Sequence, residues 1–314
     1  MKLGTFREAG REKMAVVVGD RILDVLEAKR VLGGKFESLE THGMRCFIES
    51  GTVGLELLKE LVDAAKGKAD LWRDLSSVTL GPPVPKPYKF LALATNYREH
   101  IAEGDFAKMP EKEDKITPYV FMKPPSTTVI ATEDPIVLPK VGVAIDWELE
   151  LGVIIGRKGK YILEAEALDY VFGYTVVNDV SERKLFASKE RTKDRDMDGF
   201  FDWLNGKWFD GFAPTGPVLV TRDEIGDPLN LHARLKVNGA VEQDFDTGDM
   251  IFDIPATIAF ISRIMTLEPG DIIATGTSAG VGDSQGIYLK AGDLVEGEIE
   301  KIGVLRNRVV LENP

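Results

Sequence analysis

The run Ile145-Asp-Trp-Glu-Leu-Glu-Leu-Gly152 alternates acidic and apolar residues without a break. Side chains two apart lie on one face of a strand, so a strand here puts Asp146, Glu148 and Glu150 on one side and Trp147, Leu149 and Leu151 on the other. Carboxylates set side by side repel each other, at a cost that a cation between them removes. Two readings fit the pattern: a half-buried strand with a wet acidic face, or one wall of a cation site. A third carboxylate in a similar setting favours the second. Tyr170-Val-Phe-Gly-Tyr-Thr-Val-Val-Asn-Asp179 reads as a buried strand ending in an acid, although a lone aspartate there is also an ordinary cap or turn residue. Together Glu148, Glu150 and Asp179 make an oxygen-rich set suited to a hard divalent ion, Mg²⁺ or Mn²⁺. The chain has one cysteine, Cys46, and its three histidines, His42, His100 and His232, lack ligand spacing, which argues against zinc.

Composition narrows the partners. The 314 residues, 44% hydrophobic, suffice for one large core plus a small second unit. A net charge of −12 argues against nucleic acid and anionic membrane surfaces, which would be repelled at long range. A small anionic substrate is still compatible, because local basic side chains and a metal can reverse the sign inside a site. The first seven residues carry charges and no apolar core of a signal peptide follows, and no uncharged stretch of about 18 residues could span a membrane. With a single cysteine there is no internal disulfide, and the expected location is cytoplasmic.

Residues 1–80 read as a small N-terminal domain. Met14 to Val25 suggests two short strands around the turn pair Gly19-Asp20, and Leu55, Leu58, Leu61, Val62 and Ala65 fall at helical spacing. Residues 81–87, with four prolines, form a stiff extended linker. Residues 88–314 are mostly strand-like. Leu231, Ala233, Leu235 and Val237 alternate up to the hairpin signal Asn238-Gly239. One helix is expected, with Ile254, Ile258, Ile261 and Met265 facing the core. Residues 182–198 are dense in both charge signs, which fits a solvated loop or a lid over a site beginning near Asp179.

Further motifs could carry chemistry. His100 and Glu103, in Asn96-Tyr-Arg-Glu-His-Ile-Ala-Glu103, read as a helical turn with Asn96 as a candidate cap. Spacing of three lets the carboxylate orient the imidazole, though exposed surface pairs look the same. Lys207, in Gly206-Lys-Trp-Phe-Asp210, can neutralise a developing enolate or be an ordinary surface lysine. Thr275-Gly-Thr-Ser-Ala-Gly-Val-Gly282 looks like a phosphate cradle, but it lacks Gly-Lys-Ser/Thr and is followed by a poor helix start. It reads either as amides and hydroxyls holding a small carboxylate, or as a tight glycine turn.

In this order the motifs resemble the fumarylacetoacetate hydrolase family over about residues 88 to 312. The set is Asn96-Tyr-x-x-His-x-x-Glu103, Phe121-Met-Lys-Pro124, Asp146-Trp-Glu-Leu-Glu-Leu151, Asn178-Asp-Val-Ser-Glu-Arg183, Gly206-Lys-Trp-Phe-Asp210, Val237-Asn-Gly239 with Gln243, and Ala274-Thr-Gly-Thr277. The resemblance implies an α+β, predominantly β fold: a mixed β-sandwich roll with a small N-terminal α/β domain, normally a homodimer. It implies a divalent ion on Glu148, Glu150 and Asp179 with Lys207 beside it. His100 and Glu103 correspond to an acid/base pair on a segment that orders over the substrate. Thr277 and Gln243 correspond to substrate contacts, and Arg183 and Lys123 to supporting cations. Ser278 departs from the proline often found there, which loosens the turn.

Members hydrolyse carbon–carbon bonds in acylpyruvates, decarboxylate oxaloacetate or isomerise unsaturated dicarboxylates, all through a metal-bound 2-oxo acid and an enolate. The expectation is a Mg²⁺/Mn²⁺-dependent hydrolase of 2,4-dioxo acids of the acylpyruvate or fumarylpyruvate type. The alternatives are an oxaloacetate decarboxylase, an isomerase of a hydroxymuconate-type diacid, and a non-catalytic binding protein for 2-oxo acids. The last would need no His100/Glu103 pair.

Overall fold

The computed structural model describes residues 1–103, 116–185 and 191–312. The sandwich is built from runs of Val, Ile and Leu that bury both faces of their strands. Leu149–Ile155 and Val171–Asn178 are buried along their whole length and pair antiparallel at the centre of a 12-stranded sheet. From one edge the path runs through Trp72–Asp74, Arg21–Asp24, Arg11–Val18, Lys2–Glu8, Ala213–Thr221, Val171–Asn178, Leu149–Ile155, Ile272–Ala274, Phe90–Ala94 and Tyr119–Lys123. Ile272–Ala274 runs parallel to Phe90–Ala94, which makes the sheet mixed.

A five-stranded sheet packs against it, ordered Ala240–Asp246, His232–Val237, Leu294–Ile299, Gly303–Leu311 and Ile136–Leu138. Leu149, Leu151, Tyr174 and Val176 from the large sheet share one core with Ala233, Leu235, Val295 and Leu305 from the small one. The layers approach so closely at Gly297 that a Cβ there would lie 2.7 Å from Leu149 Cδ1. This α+β, mostly β sandwich is the expected fold class.

The hairpin signal at Asn238-Gly239 joins His232–Val237 to Ala240–Asp246, with φ of 52° and 85° at the two turn residues. Positive φ at both central positions is what a type I′ turn demands. The expected helix is Ile254–Ile264, whose N-cap Asp253 accepts from the Ala256 amide. Ile254, Ile258 and Ile261 are buried, and Met265 follows the last turn.

Within the first 80 residues the turn at Gly19-Asp20 links Arg11–Val18 to Arg21–Asp24, and the helix Gly51–Ala65 buries Leu58, Leu61, Val62 and Ala65. Lys2–Glu8, not anticipated as a strand, pairs with Arg11–Val18 and, through Lys2 and Leu3, with Ala213–Thr221. The sheet is therefore continuous from the N-terminal strands into the large layer. The proline-rich stretch is packed: Pro82, Pro83 and Val84 are buried, and Thr5 Oγ1 donates to the Pro83 carbonyl.

The opening run differs from a single alternating strand. Ile145–Asp146 pairs with Ser181–Glu182, the ladder lapses at Trp147 and Glu148, and Leu149–Ile155 then joins the large sheet. The lapse lets the chain change sheets. No acidic residue of the run is wet: Asp146 and Glu150 are 0% exposed and Glu148 is 5% exposed.

Candidate functional site

Both central strands deliver their acids to one point. Glu148, Glu150 and Asp179 each offer an oxygen, and these oxygens lie within 4.8 Å of one another. Register explains the meeting: Leu149 pairs with Asn178, so the residues just outside the ladder, Glu148 and Asp179, face each other, and the Asp179 amide donates to the Glu148 carbonyl. Asn178 Oδ1 accepts from the Glu148 amide at 3.0 Å, which closes the corner.

Three cations reach this cluster. Lys207 Nζ donates to Glu148 Oε2 and Asp179 Oδ2, each at 2.7 Å. Arg183 spans Glu148 and Asp146, with its Nε 2.9 Å from Asp146 Oδ2. Lys123, wholly buried, donates to Asp179 Oδ1 and to the Val180 carbonyl. Burial pulls the Lys123 ammonium down to about 8 against the pull of Asp179. Burial also opposes charge on Glu148, but Lys207 and Arg183 outweigh it and hold that carboxyl below the usual range.

Among the described residues no cation bonds to Glu150, and Lys207 acts on it only at longer range. Burial, then the charges of Asp179 and Glu148, push its carboxyl well above the ordinary value. Its Oε2 accepts from the Gly276 amide at 2.6 Å, whereas its buried Oε1 has no hydrogen-bond partner among the described residues. An orphaned buried carboxylate oxygen is costly. With Asp146 counted, four buried carboxylates meet three cations, so a divalent ion would satisfy Glu150 and leave the site net positive, suited to an anionic ligand. The donor set, all carboxylate oxygen, fits a hard ion.

The loop after Ile272–Ala274 wraps the cluster. Its amides at Gly276, Gly280 and Gly282 donate to Glu150, Glu103 and Asp146 respectively, so the glycine-rich stretch binds the chain's own acids. Of the two readings of this stretch, a cradle for a small carboxylate or a tight glycine turn, these three amides are taken up by the chain's own carboxylates. Asp146, given no role from sequence, accepts from the Trp147, Gly282 and Asp283 amides as well as from Arg183. It ties the loop to the acidic run. The only sequence signal for it is its place in the alternating run.

His100 and Glu103 lie on the short helix Arg98–Glu103, with His100 Nδ1 3.7 Å from Glu103 Oε2. Burial works against charge on Glu103, but His100 and the Gly280 amide bring its carboxyl below the ordinary value. Asn96 is not the cap of this helix: its amide donates to the Phe252 and Thr275 carbonyls and accepts from the Phe252 amide, joining three segments behind the site.

His100, Glu148, Arg183, Lys207 and Thr277 line one cavity of about 440 Å³. Gln243 and Lys123 lie behind its wall. Gln243 Oε1 accepts from the Leu149 amide, and its Nε2 donates to Thr277 Oγ1 and to the Ser278 carbonyl. Of the charged run 182–198, residues 186–190 fall outside the described residues. Arg191 and Arg195 pair with Asp198 in the helix Asp198–Gly206, which ends at Lys207. That helix also brings Phe200 and Trp203 to the cavity, residues that the sequence reading passed over.

The model of the fumarylacetoacetate hydrolase C-terminal domain matches residues 89–310. The chain belongs to the fumarylacetoacetate hydrolase family. It is 39% identical over 319 residues to a 2,4-didehydro-3-deoxy-L-rhamnonate hydrolase of Sphingomonas sp. strain SKA58, covering 98% of this chain and 96% of that protein. It is 40% identical over 269 residues to a mitochondrial oxaloacetate tautomerase of Xenopus laevis, covering 85% of this chain and 78% of the relative. Among solved structures it resembles maleylpyruvate hydrolase from Sphingobium sp. SYK-6 in complex with manganese(II) and pyruvate, with a TM-score of 0.75, 30% identity and complete coverage of both chains. Relatives in the family are thus named as hydrolases, tautomerases and, elsewhere, isomerases; this is a family of enzymes. Among the described residues, no helix is long and apolar enough to cross a membrane.

Proposed function

We propose that this enzyme is a divalent-metal-dependent hydrolase that cleaves the C3–C4 bond of a 2,4-dioxo acid, releasing pyruvate or its analogue and a carboxylic acid. The supporting observation is the cavity in which His100 faces Glu148, Lys207, Arg183 and Thr277 beside three converging carboxylates. The end-to-end similarity to a hydrolase whose name describes a 2,4-didehydro-3-deoxy acid agrees with it.

In this reading Glu148, Glu150 and Asp179 would hold Mg²⁺ or Mn²⁺. The bound ion supplies Lewis acidity for the 2-oxo acid head. Thr277 and Arg183 orient that head. His100, steadied by Glu103, takes a proton from water as the oxygen adds to C4, and Glu103 stabilises the imidazolium that results. The C3–C4 bond breaks, its electron pair stays on C3, and Lys207 stabilises the negative charge of the enolate. His100 returns its proton to C3. Water is thereby consumed and divided between the acid and pyruvate.

Oxaloacetate decarboxylation and isomerisation of a hydroxymuconate-type diacid place the same charge on C3 without adding water, so product analysis separates them. The test is turnover of acetylpyruvate, fumarylpyruvate and oxaloacetate with Mg²⁺ and with EDTA. Hydrolysis of the first two, lost in EDTA and restored by Mg²⁺, is the expected result; turnover of oxaloacetate alone refutes it. A homodimer in the cytoplasm goes with this reading. Sedimentation should give a particle twice the 34.6 kDa of the chain, and a particle of chain mass at micromolar concentration refutes the dimer.

A further inference from the structure

The cavity has two chemically distinct ends. At the buried end Arg183 and Lys207 are both committed to carboxylates, Arg183 to Asp146 and Glu148, Lys207 to Glu148 and Asp179. The outer end is aromatic. Tyr119 is 67% exposed and Phe200 50% exposed, and both line the cavity together with Trp203. Lys207 Nζ sits 5.3 Å from the Phe121 ring centroid and 5.9 Å from that of Trp203. Phe121 meets Trp203 edge to face at 5.1 Å, and Trp203 meets Phe200 at 5.9 Å. A file of rings therefore starts at the charged cluster and runs outward to solvent.

Helical spacing produces this file. Phe200 and Trp203 stand three apart on Asp198–Gly206, so one face of that helix presents both rings to the cavity. Large rings left half in water are unfavourable unless something covers them, and an exposed apolar wall beside a polar cluster is the usual form of a ligand pocket. Ring faces carry negative quadrupole charge, which attracts cations and apolar groups and disfavours a carboxylate. None of the described residues lining the outer end is a lysine or arginine.

We propose that Tyr119, Phe200 and Trp203 select the group beyond C4 of the substrate. The preferred substrates are 2,4-dioxo acids with an aromatic or extended apolar acyl group, in preference to dicarboxylates. The proposal rests on the dioxo-acid reading above, with the pyruvyl head at the cluster and the acyl tail along the rings.

The test compares kcat/KM for benzoylpyruvate, acetylpyruvate and fumarylpyruvate in Mg²⁺, in wild type, Trp203→Ala and Trp203→Phe. Wild type should favour benzoylpyruvate over fumarylpyruvate by at least about tenfold, or about 1.4 kcal/mol. The benzoyl-to-acetyl ratio should fall about tenfold in Trp203→Ala and recover largely in Trp203→Phe. A wild type that uses fumarylpyruvate as well as benzoylpyruvate overturns the proposal, as does a ratio unmoved in a folded Trp203→Ala. If Trp203→Ala does not fold, the same ratio is read in Phe200→Ala. Calorimetry of phenylpyruvate and 2-oxoglutarate with the Mg²⁺-loaded enzyme separates the two layers. Failure to hydrolyse any of the three dioxo acids sinks the hydrolase reading, while phenylpyruvate binding about tenfold tighter than 2-oxoglutarate upholds the aromatic tail site and equal binding overturns it.

Discussion

Replacing Gly206 with alanine tests how Lys207 is positioned. Gly206 closes the helix Asp198–Gly206, and a Cβ on it would lie 2.2 Å from the Glu182 carbonyl oxygen and 3.2 Å from the carbonyl carbon. The opposing group cannot give way. Ser181–Glu182 is laddered to Ile145–Asp146, and the Glu182 carboxylate accepts from the Val143, Ala144 and Lys184 amides. The helix end must move instead, and it takes along Lys207, whose Nζ lies 2.7 Å from both Glu148 and Asp179. Overpacking of this kind costs about 1 to 3 kcal/mol of stability. A displacement of roughly 1 Å at a reacting group costs on the order of 10²-fold in rate. Gly199, in the first turn of the same helix, has nothing within 4 Å of an added Cβ, so Gly199→Ala should raise the melting temperature. Thermal unfolding and kcat/KM on the best dioxo acid read both effects. A Gly206→Ala enzyme with wild-type melting temperature and rate would show that this contact does not place Lys207.

Three other perturbations probe the site and its frame. Glu150→Gln should fold normally and lose metal-dependent turnover; full turnover after chelation and Mg²⁺ readdition would remove Glu150 from the metal set. His100→Ala should lower dioxo-acid hydrolysis by about 10²- to 10⁴-fold at unchanged metal affinity, and should lower any oxaloacetate decarboxylation far less; hydrolysis that survives the change excludes His100 as the base. At Asp223, burial works against the charge, but Lys59 and Thr221 outweigh it and bring the carboxyl to about 2 from 3.8. A depressed carboxyl stabilises the fold above its unfolded value and loses that effect as pH falls from 3.8 towards 2. With Asp223 half exposed, solvent screening reduces the effect to about 1 kcal/mol or less. Urea unfolding of Asp223→Asn should therefore differ from wild type near neutral pH and converge with it in acid; a constant gap contradicts the assignment.

The acid triad was legible because each signal is local: Glu148 and Glu150 alternate, and Asp179 directly follows the apolar strand Val171–Asn178. Their burial was not, because the covering groups come from afar. Gly276 is 126 residues from Glu150, and Lys207 is 59 residues from Glu148. Asn238-Gly239 and the Ile254–Ile264 helix could be read because a turn and a 3.6-residue period are short-range signals. Lys2–Glu8 was missed as a strand because part of its pairing is to Leu219 and Val220, and such pairing leaves no local trace. Phe200 and Trp203 were not legible because the helix that carries them is short and follows a charged run with the composition of a solvated loop. Gln243 was expected, through the resemblance, to contact the substrate; its side-chain amide instead bonds the Leu149 amide, the Thr277 hydroxyl and the Ser278 carbonyl, partners that are distant in sequence.

The seam between Lys2–Glu8 and Ala213–Thr221 has a consequence for how the chain can be cut. Its ladder is short, Lys2 and Leu3 opposite Val220 and Leu219, and Met1 adds its amino group and carbonyl to the Thr221 hydroxyl and amide. A version trimmed of its first 80 residues would open that flank of Ala213–Thr221 at residues 219–221, while Ala213 and Pro214 keep their pairing with Val129–Ile130. Such an open flank is a template for adding a foreign strand. The leading hairpin thus acts as a protective selvedge on the large sheet, and shortened versions should associate through this flank.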